Sequence, residues 1–509
     1  MRTPAAGRNA LTRKEFLAAA LTGASAISAA TSDSGADNAP RAPVESSYAE
    51  GAAPRSASPL AAPDRIILLI IDTLRSDHVG CYGYFRDTTP FLDFLAANGT
   101  LFQRATASCS MTSPSHASLF TSLHPIQHKV VFNGLMLEPR FLTMAEFLQQ
   151  QGYATAGFVS TIHFLKAGMA RGFDTFSCRG DEGLVDNLYR PAEATVDKAL
   201  AWLTERKPDE KFFLWVHVFD PHGPLKPPEE YSRPFDTETE QDFEKATRTF
   251  LFDHHTDFEF WKHKRNYLLG HMNRYDGEVR YADVQLQRLY TAAEQNGLNK
   301  NALWIATADH GEGLGNHHFG AHDRFIYNET VRVPLVFHGD GLQQGRRVVD
   351  DVVELVDIFP TLGSLLGVKL SDLVPHAQGE CLLPYCVEAS GSSRQKRTGF
   401  SERRAYVERQ RPGPDDDMAF YHFEEGDKYA LQDEHYKYIY WTVGDDEFYD
   451  LMEDPYELKN VRGLGVPEER HMRKELHDRV AAMRQHFDVE PAQADEQDME
   501  QLRALGYLL

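Results

Sequence analysis

The sequence predicts an α/β protein with a mostly parallel central sheet flanked by helices, plus a smaller antiparallel sheet near the carboxyl end. Three observations carry this. Short runs that are apolar throughout recur along the chain and end at polar residues: Arg65–Ile71 before Asp72, Ala154–Ser160, Phe212–Phe219, Ala302–Ala308 and Val333–His338. A strand covered on both faces has no polar side to show, so it reads as a continuous apolar run and suits a parallel sheet. Helical stretches separate these runs, at Pro90–Asn98, Leu142–Gln151, Ala192–Arg206 and Ala282–Asn296, and strand–helix alternation is the mark of a layered α/β fold. After about residue 370 the texture changes. Tyr429–Trp441 reads as two strands around a turn at Gln432–His435, Glu447–Leu451 as another strand or turn, and Pro467–Phe487 as a helix.

The amino terminus is different in kind. Arg2, Arg8, Arg13 and Lys14 precede an Ala-rich, mildly apolar run from Phe16 to Ala30, the order of an export signal. Thr12-Arg13-Lys14-Glu15-Phe16-Leu17 resembles a twin-arginine signal with Lys in the second position, which implies export to the periplasm or beyond. Residues 31–62, rich in Ala, Ser, Pro and Gly, read as a flexible linker. The expected division is therefore signal 1–30, linker 31–62, catalytic domain 63–370 and carboxy-terminal subdomain 371–509. No uninterrupted apolar run is long enough to span a membrane. A net charge of −22 argues against general nucleic-acid binding, which needs a basic footprint. Of five cysteines, Cys381 and Cys386 are near enough in sequence to pair. Residues 232–272, rich in aromatics, charge and His, read as an irregular insertion or a substrate lid.

The candidate chemistry lies at predicted strand ends, where open α/β sheets gather ligands. Asp72 follows the first run, Asp309-His310 the fourth, and Asp220-Pro221-His222 the third. Asp72 and Asp309 offer hard anionic oxygens and His310 a nitrogen, so together they can hold one divalent cation. Thr112-Ser113-Pro114-Ser115-His116 opens a predicted helix, with Pro114 at an early position where a missing N–H costs little. A hydroxyl there sits by free backbone N–H groups at the positive end of the helix dipole. A nearby cation would lower the pKa of the Thr112 hydroxyl, a poor nucleophile on its own. His222, His322 and Asn133 are candidate donors to a developing anion. Arg75 and Asp77 suit a structural ion pair.

Thr112–Thr121 resembles the sulfatase signature of the alkaline phosphatase superfamily, Cys-x-Pro-Ser-Arg followed by small residues, Leu and Thr-Gly. Aligned on Pro114, Thr112 takes the place of the modified cysteine and His116 that of the arginine. Ile71–Gly83 resembles the family's first metal segment, with Asp72-Thr73 for its usual Asp-Asp. Thr307–Glu312 resembles the second metal segment, and His217–His222 the substrate-binding histidine region. Phe448–Leu451 with Asp454-Pro455 is similar to the carboxy-terminal pattern. The resemblance spans roughly residues 64–507.

It implies a metal-dependent ester hydrolase built as a sulfatase-like sandwich, with Asp72, Asp309, His310 and Thr112 around one divalent ion, Mn, Zn or Ca. Thr112, His222 and His322 would be catalytic. Asn133, which lies 21 residues after Thr112, resembles a substrate-contact position, and His116 would contact substrate or cap its own helix. The implied substrate is an anionic ester of a small molecule, glycan or lipid. Sulfatases use a formylglycine made from Cys or sometimes Ser, and a threonine cannot be converted in that way. Attack by Thr112 on phosphorus would give a phosphothreonine that water can open, as in the threonine-nucleophile phosphodiesterases of the superfamily. The side chain thus points to phosphate esters, phosphodiester or phosphomonoester. A sulfuric ester hydrolase and a catalytically silent binding protein are the alternatives.

Overall fold

The computed structural model describes residues 61–178, 189–236, 258–318, 321–340, 342, 345–387, 396–405, 426–485 and 492–493. The chain divides into two compact units, residues 1–61 and 62–509, and every element below belongs to the second. The expected signal at 1–30, and the expected linker at 31–62 as far as residue 60, lie outside the described residues.

Strand β1 (Arg65–Ile71) is buried along its whole length. It lies between β6 (Phe212–Val218) and β7 (Ala302–Ala308), parallel to both, with seven residues of each in register. On the β6 side follow β4 (Ala154–Val159) and β5 (Thr175–Ser177), again parallel. On the β7 side come β9 (Leu335–Gly339), β2 (Thr100–Thr106) and β10 (Arg347–Glu354), while β8 (Arg332–Val333) pairs with β2. A two-residue strand β3 (Leu135–Met136) pairs separately with β15 (Ala492–Gln493).

The apolar runs thus form the sheet, with one correction. The Val333–His338 run splits into β8 and β9, and β9 runs antiparallel to β7 and to β2. An apolar run reports burial on two faces, not direction. Strands β2 and β10 escape the pattern because polar residues break it. Gln103 and Arg104 interrupt β2, and Asp350-Asp351 occupy a register shift in β10 between Val349 and Val352.

The principal helices are α1 (Pro90–Ala97), α2 (Thr112–Thr121), α3 (Met144–Gln150), α4 (Ala192–Thr204), α5 (Phe258–Gln295), α6 (Ile358–Leu365) and α7 (Pro467–Arg484). Their starts have local causes. Thr143 and Glu146 close a capping box on α3, and both carboxylate oxygens of Asp283 accept the Phe91 and Leu92 N–H groups of α1, at 2.8 and 3.0 Å. Each satisfies donors that a helix start leaves without partners. Helix α5 begins at Phe258, so the later part of the segment read as irregular is helical. None of the described helices is long and apolar enough to cross a membrane.

The smaller sheet is antiparallel, with β11 (Gly399–Arg403), β12 (Lys428–Gln432), β13 (Tyr436–Trp441) and β14 (Glu447–Asp450) in sequence order. Helix α7 covers it with Met472, Leu476, Val480 and Met483 against Phe400, Tyr429, Leu431, Tyr438 and Phe448, an apolar stripe at helical spacing. This sheet is not a separate body. Glu402 N–H donates to the Ser108 carbonyl at 2.8 Å and Ser401 Oγ to the Ala107 carbonyl at 2.7 Å, so the expected boundary near residue 370 falls inside one compact unit. Cys381 and Cys386 form no disulfide with each other, so the expected pairing does not occur.

Candidate active site

The carboxyl ends of β1, β6 and β7 are neighbours in the sheet, so the residues that follow them meet. Asp72 leaves β1 with its N–H still bonded to the Val218 carbonyl at 3.0 Å. Thr73 then takes a left-handed conformation, φ 55°, uncommon for a β-branched residue. The turn is held because Thr73 N–H donates to Asp309 Oδ1 at 3.2 Å and its carbonyl accepts from Tyr275 Oη at 2.7 Å. Arg75 makes the expected ion pair with Asp77, two contacts of 2.9 and 2.8 Å, and also donates to Asn316 Oδ1 at 2.6 Å.

Beyond β7, the N–H of His310 donates to Asp309 Oδ1 at 2.9 Å. His310 Nδ1–H donates to the Gly311 carbonyl at 2.9 Å, which leaves the Nε2 lone pair for a ligand. Gly311 is required sterically: a Cβ there would lie 2.1 Å from the Glu329 carbonyl oxygen.

Helix α2 brings Thr112 to this point as its first residue. All ten of its residues are buried although most are polar, and internal bonds make that tolerable. Ser118 Oγ donates to the Pro114 carbonyl and Thr121 Oγ1 to the Ala117 carbonyl, at 3.0 and 2.6 Å. Ser115 Oγ donates to the Asp309 carbonyl at 2.6 Å, tying the helix to the Asp309-His310 segment. Thr112 Oγ1 stands 3.2 Å from His310 Nε2.

Asp72, Asp309 and His310 present ligand atoms within 4.8 Å of one another, as do His116, His217 and Asp309. His310 Nε2 is 3.5 Å from Asp309 Oδ2 and 3.9 Å from Asp72 Oδ1. Both carboxylate oxygens of Asp72, and Oδ2 of Asp309, are buried without a hydrogen-bond partner. Burial and the adjacent Asp309 carboxylate push Asp72 well above the usual carboxylate range. Asp309, against its own burial, is held low by His310, His116 and His217. Two buried carboxylates with orphaned oxygens beside an imidazole lone pair are what a divalent cation satisfies, and the residues present fit one.

The remaining candidates separate. His322 Nδ1–H donates to Glu312 at 3.2 Å. Burial opposes its charge, yet the Glu312 carboxylate and that bond, with Asp323 and Asp72 beyond, raise its pKa to about 9. His222, with rings 4.9 Å apart from His322, is pushed down to about 3 by burial and by His322. Its Nδ1–H donates to the Gly223 carbonyl at 2.7 Å, so the lone pair of the ring is on Nε2. Asn133 Oδ1 accepts the Ser113 N–H at 2.8 Å, holding the start of α2 and leaving its amide N–H groups to offer. His116 is fully buried and donates Nδ1–H to the Thr112 carbonyl at 2.8 Å, with Asp309 Oδ2 3.6 Å away, so it braces the helix start from beneath. Asp220 turns from the cluster: its Oδ2 accepts the Ala192 N–H that opens α4, at 2.8 Å.

Exposure rises from 0% at Asp72, Thr112, Asp309 and His310 to 14% at the His322 side chain, so the mouth of the site is on the His322 side. Sequence reasoning gave no role to Glu312 or His217. Glu312 lies three residues after Asp309 and His217 in an otherwise apolar strand, and a lone His in such a strand was the available signal.

A mostly parallel sheet with carboxylates and imidazoles gathered at its strand ends, beside a hydroxyl on a buried helix start, defines a hydrolase of the alkaline phosphatase superfamily. The chain belongs to the sulfatase family: the Sulfatase family model matches residues 64–368. A second model, N-sulphoglucosamine sulphohydrolase C-terminal, matches residues 315–486. The multifunctional alkaline phosphatase superfamily protein PehA of Trinickia caryophylli is 24% identical over 489 residues, covering 78% of this chain and 91% of its own. The Delta 4,5-hexuronate-2-O-sulfatase of Bacteroides thetaiotaomicron is 24% identical over 431 residues, covering 78% and 84%. Among solved structures, the phosphonate monoester hydrolase of Agrobacterium radiobacter shares the fold with a TM-score of 0.63 and 23% identity, over 83% of this chain and 95% of that one.

Proposed function

We propose that this protein cleaves phosphate esters, diesters or monoesters, with the Thr112 hydroxyl as nucleophile. The observation that carries the reading is the position of Thr112 Oγ1, 3.2 Å from His310 Nε2 beside the orphaned carboxylates of Asp72 and Asp309. Asp72, Asp309 and His310, with Thr112 beside them, would hold one divalent ion. When bound, it would polarise the ester oxygen and make the neighbouring hydroxyl more acidic.

Thr112 Oγ1 passes its proton to a non-bridging oxygen of the ester and bonds to phosphorus as the bond to the leaving alcohol breaks. His322, kept protonated by Glu312, gives that alcohol its proton. Water then opens the phosphothreonine: His222 Nε2 takes its proton, oxygen bonds to phosphorus, and Thr112 Oγ1 departs and recovers a proton. The proton gained by His222 replaces the one lost by His322. Two imidazoles pushed in opposite directions suit these complementary roles. Asn133 offers its amide to the non-bridging oxygens. The basic, then Ala-rich segment of residues 1–30 supports work outside the cytoplasm.

The sulfatase names of relatives support sulfuric ester hydrolysis as the second reading, but a sulfothreonine has no comparable release route. Purified protein loaded with Mn or Zn should turn over aryl phosphates or phosphodiesters faster than aryl sulfates. Thr112→Ala should lose about 10³-fold or more in kcat, and mass spectrometry of quenched wild-type reactions should find phosphate on Thr112. Sulfate-ester turnover that survives Thr112→Ala would sink the assignment.

A further inference from the structure

We propose that a cavity beside Arg332, separate from the cluster around Thr112, binds one small monovalent anion, chloride or a short carboxylate such as formate. It lies where the turn after β1 meets the segment before β8 and the carboxy-terminal Pro455-Tyr456. None of the residues assigned to the metal, to nucleophilic attack or to proton transfer lines it.

At about 140 Å³, the cavity is well above the roughly 10–15 Å³ that one water needs. Its wall carries one positive charge in excess. Arg75 is matched by Asp77, whose two carboxylate oxygens accept from it at 2.9 and 2.8 Å. Glu329 is matched by His317 at 2.6 Å. Arg332, half-buried, gives Nε–H and Nη2–H to the Gln103 carbonyl at 3.3 and 2.9 Å. It makes no ion pair within 4.0 Å with any described residue. Burial lowers its pKa and Arg104 adds to that, and the opposing influence of Tyr82 and Asp77 does not restore it. A guanidinium stays charged all the same, so its charge needs a counterpart.

The donors on the wall belong to the same picture. Arg332 Nη1 and the hydroxyls of Ser76 and Tyr456 have no acceptor among the described residues. Asn328 Oδ1 accepts from Lys437 Nζ at 3.3 Å, which fixes the orientation of the amide and leaves Nδ2 to donate. Donors gathered around one unmatched positive charge are what a single anion satisfies. Other occupants fare worse. A cation would need a carboxylate, and Asp77 and Glu329 are committed to Arg75 and His317. A dianion would turn one excess positive charge into one excess negative charge. Water would solvate the donors and leave the guanidinium unmatched. A bound anion would join the turn that follows Asp72 to the carboxy-terminal part of the chain.

The test uses the full chain. Thermal melts are recorded in mixtures of sodium gluconate with sodium chloride or sodium formate, total sodium held constant, so that only the small anion varies. In wild type the melting temperature should rise saturably, by about 2 °C at ten times the half-saturating concentration. Arg332→Gln should abolish the rise. Ser76→Ala and Tyr456→Phe each remove one donor and keep the charge, and should raise the half-saturating concentration about 10-fold. Circular dichroism checks folding, and if Arg332→Gln does not fold, these two variants decide. A wild-type melting temperature that does not rise with either small anion overturns the proposal. So does a saturable rise whose midpoint is unchanged in the folded variants, which would place the anion elsewhere.

Discussion

Glu312 decides which of the two mouth histidines carries charge. Its carboxylate is kept below the usual range, against its own burial, by His322 and the hydrogen bond between them, then by His222 and His310. The bond also fixes the His322 tautomer, with Nδ1–H committed to Glu312 and the second nitrogen left for the substrate. Glu312→Gln keeps the shape and removes the charge. We expect it to lower kcat about 10²-fold, the usual share of a general acid, with bound metal unchanged by elemental analysis. An unchanged kcat would remove His322 from the proton-transfer role. At the same scale, one methyl group separates Thr112 from a serine, and with it goes any route to formylglycine.

Helix α2 is the element on which the site depends. It is buried on every side; Ser118 and Thr121 bond to its own carbonyls, Ser115 bonds to the Asp309 carbonyl, and its first turn is held by Asn133 and His116. Asn133→Ala removes the acceptor for the Ser113 N–H. As the loss of a helix-start acceptor it should cost about 1 kcal/mol in denaturant melts, and it should reduce kcat by loosening Thr112. A rise in KM with stability and kcat unchanged would instead make Asn133 a substrate contact alone. The element scale also shows where sequence reasoning stops. Pro114 and the hydroxyls placed α2 correctly, because helix starts are local. Asp220 looked equivalent to Asp72 and Asp309, since each follows an apolar strand, yet its carboxylate serves the start of α4, 28 residues earlier.

Over the whole molecule, the loop after Asp309-His310 is fastened to the carboxy-terminal part by His317. Its Nδ1 donates to Glu329 at 2.6 Å and its Nε2 to the Glu457 carbonyl at 2.9 Å, so both nitrogens carry hydrogen and the ring is cationic. Burial opposes that charge, but Glu329 and its hydrogen bond, with Glu457, raise the pKa to about 9 from an ordinary 6.5. A group whose folded pKa is raised stabilises in full below its unfolded pKa and loses that contribution as pH climbs through the folded value. Stability should therefore fall between about pH 6.5 and 9, by about 3 kcal/mol at most from this group. His317→Ala should flatten that part of the profile in urea melts at several pH values, and an unchanged slope would assign it to other groups.

By itself, the sequence determined the strands β1, β4, β6 and β7, the helix that opens at Thr112, and the meeting of Asp72 with Asp309-His310. Each of these follows from a local pattern, an apolar run that ends in a polar residue at a sheet's carboxyl edge. Only the tertiary structure decided that β9 runs antiparallel, that the smaller sheet joins the same compact unit, that His222 Nδ1 is spent on the Gly223 carbonyl while His322 Nδ1 is spent on Glu312, and that His217 faces Asp72. These depend on which distant segments become neighbours, and on hydrogen bonds and buried charge across them, for which the order of residues along one segment carries no local signal.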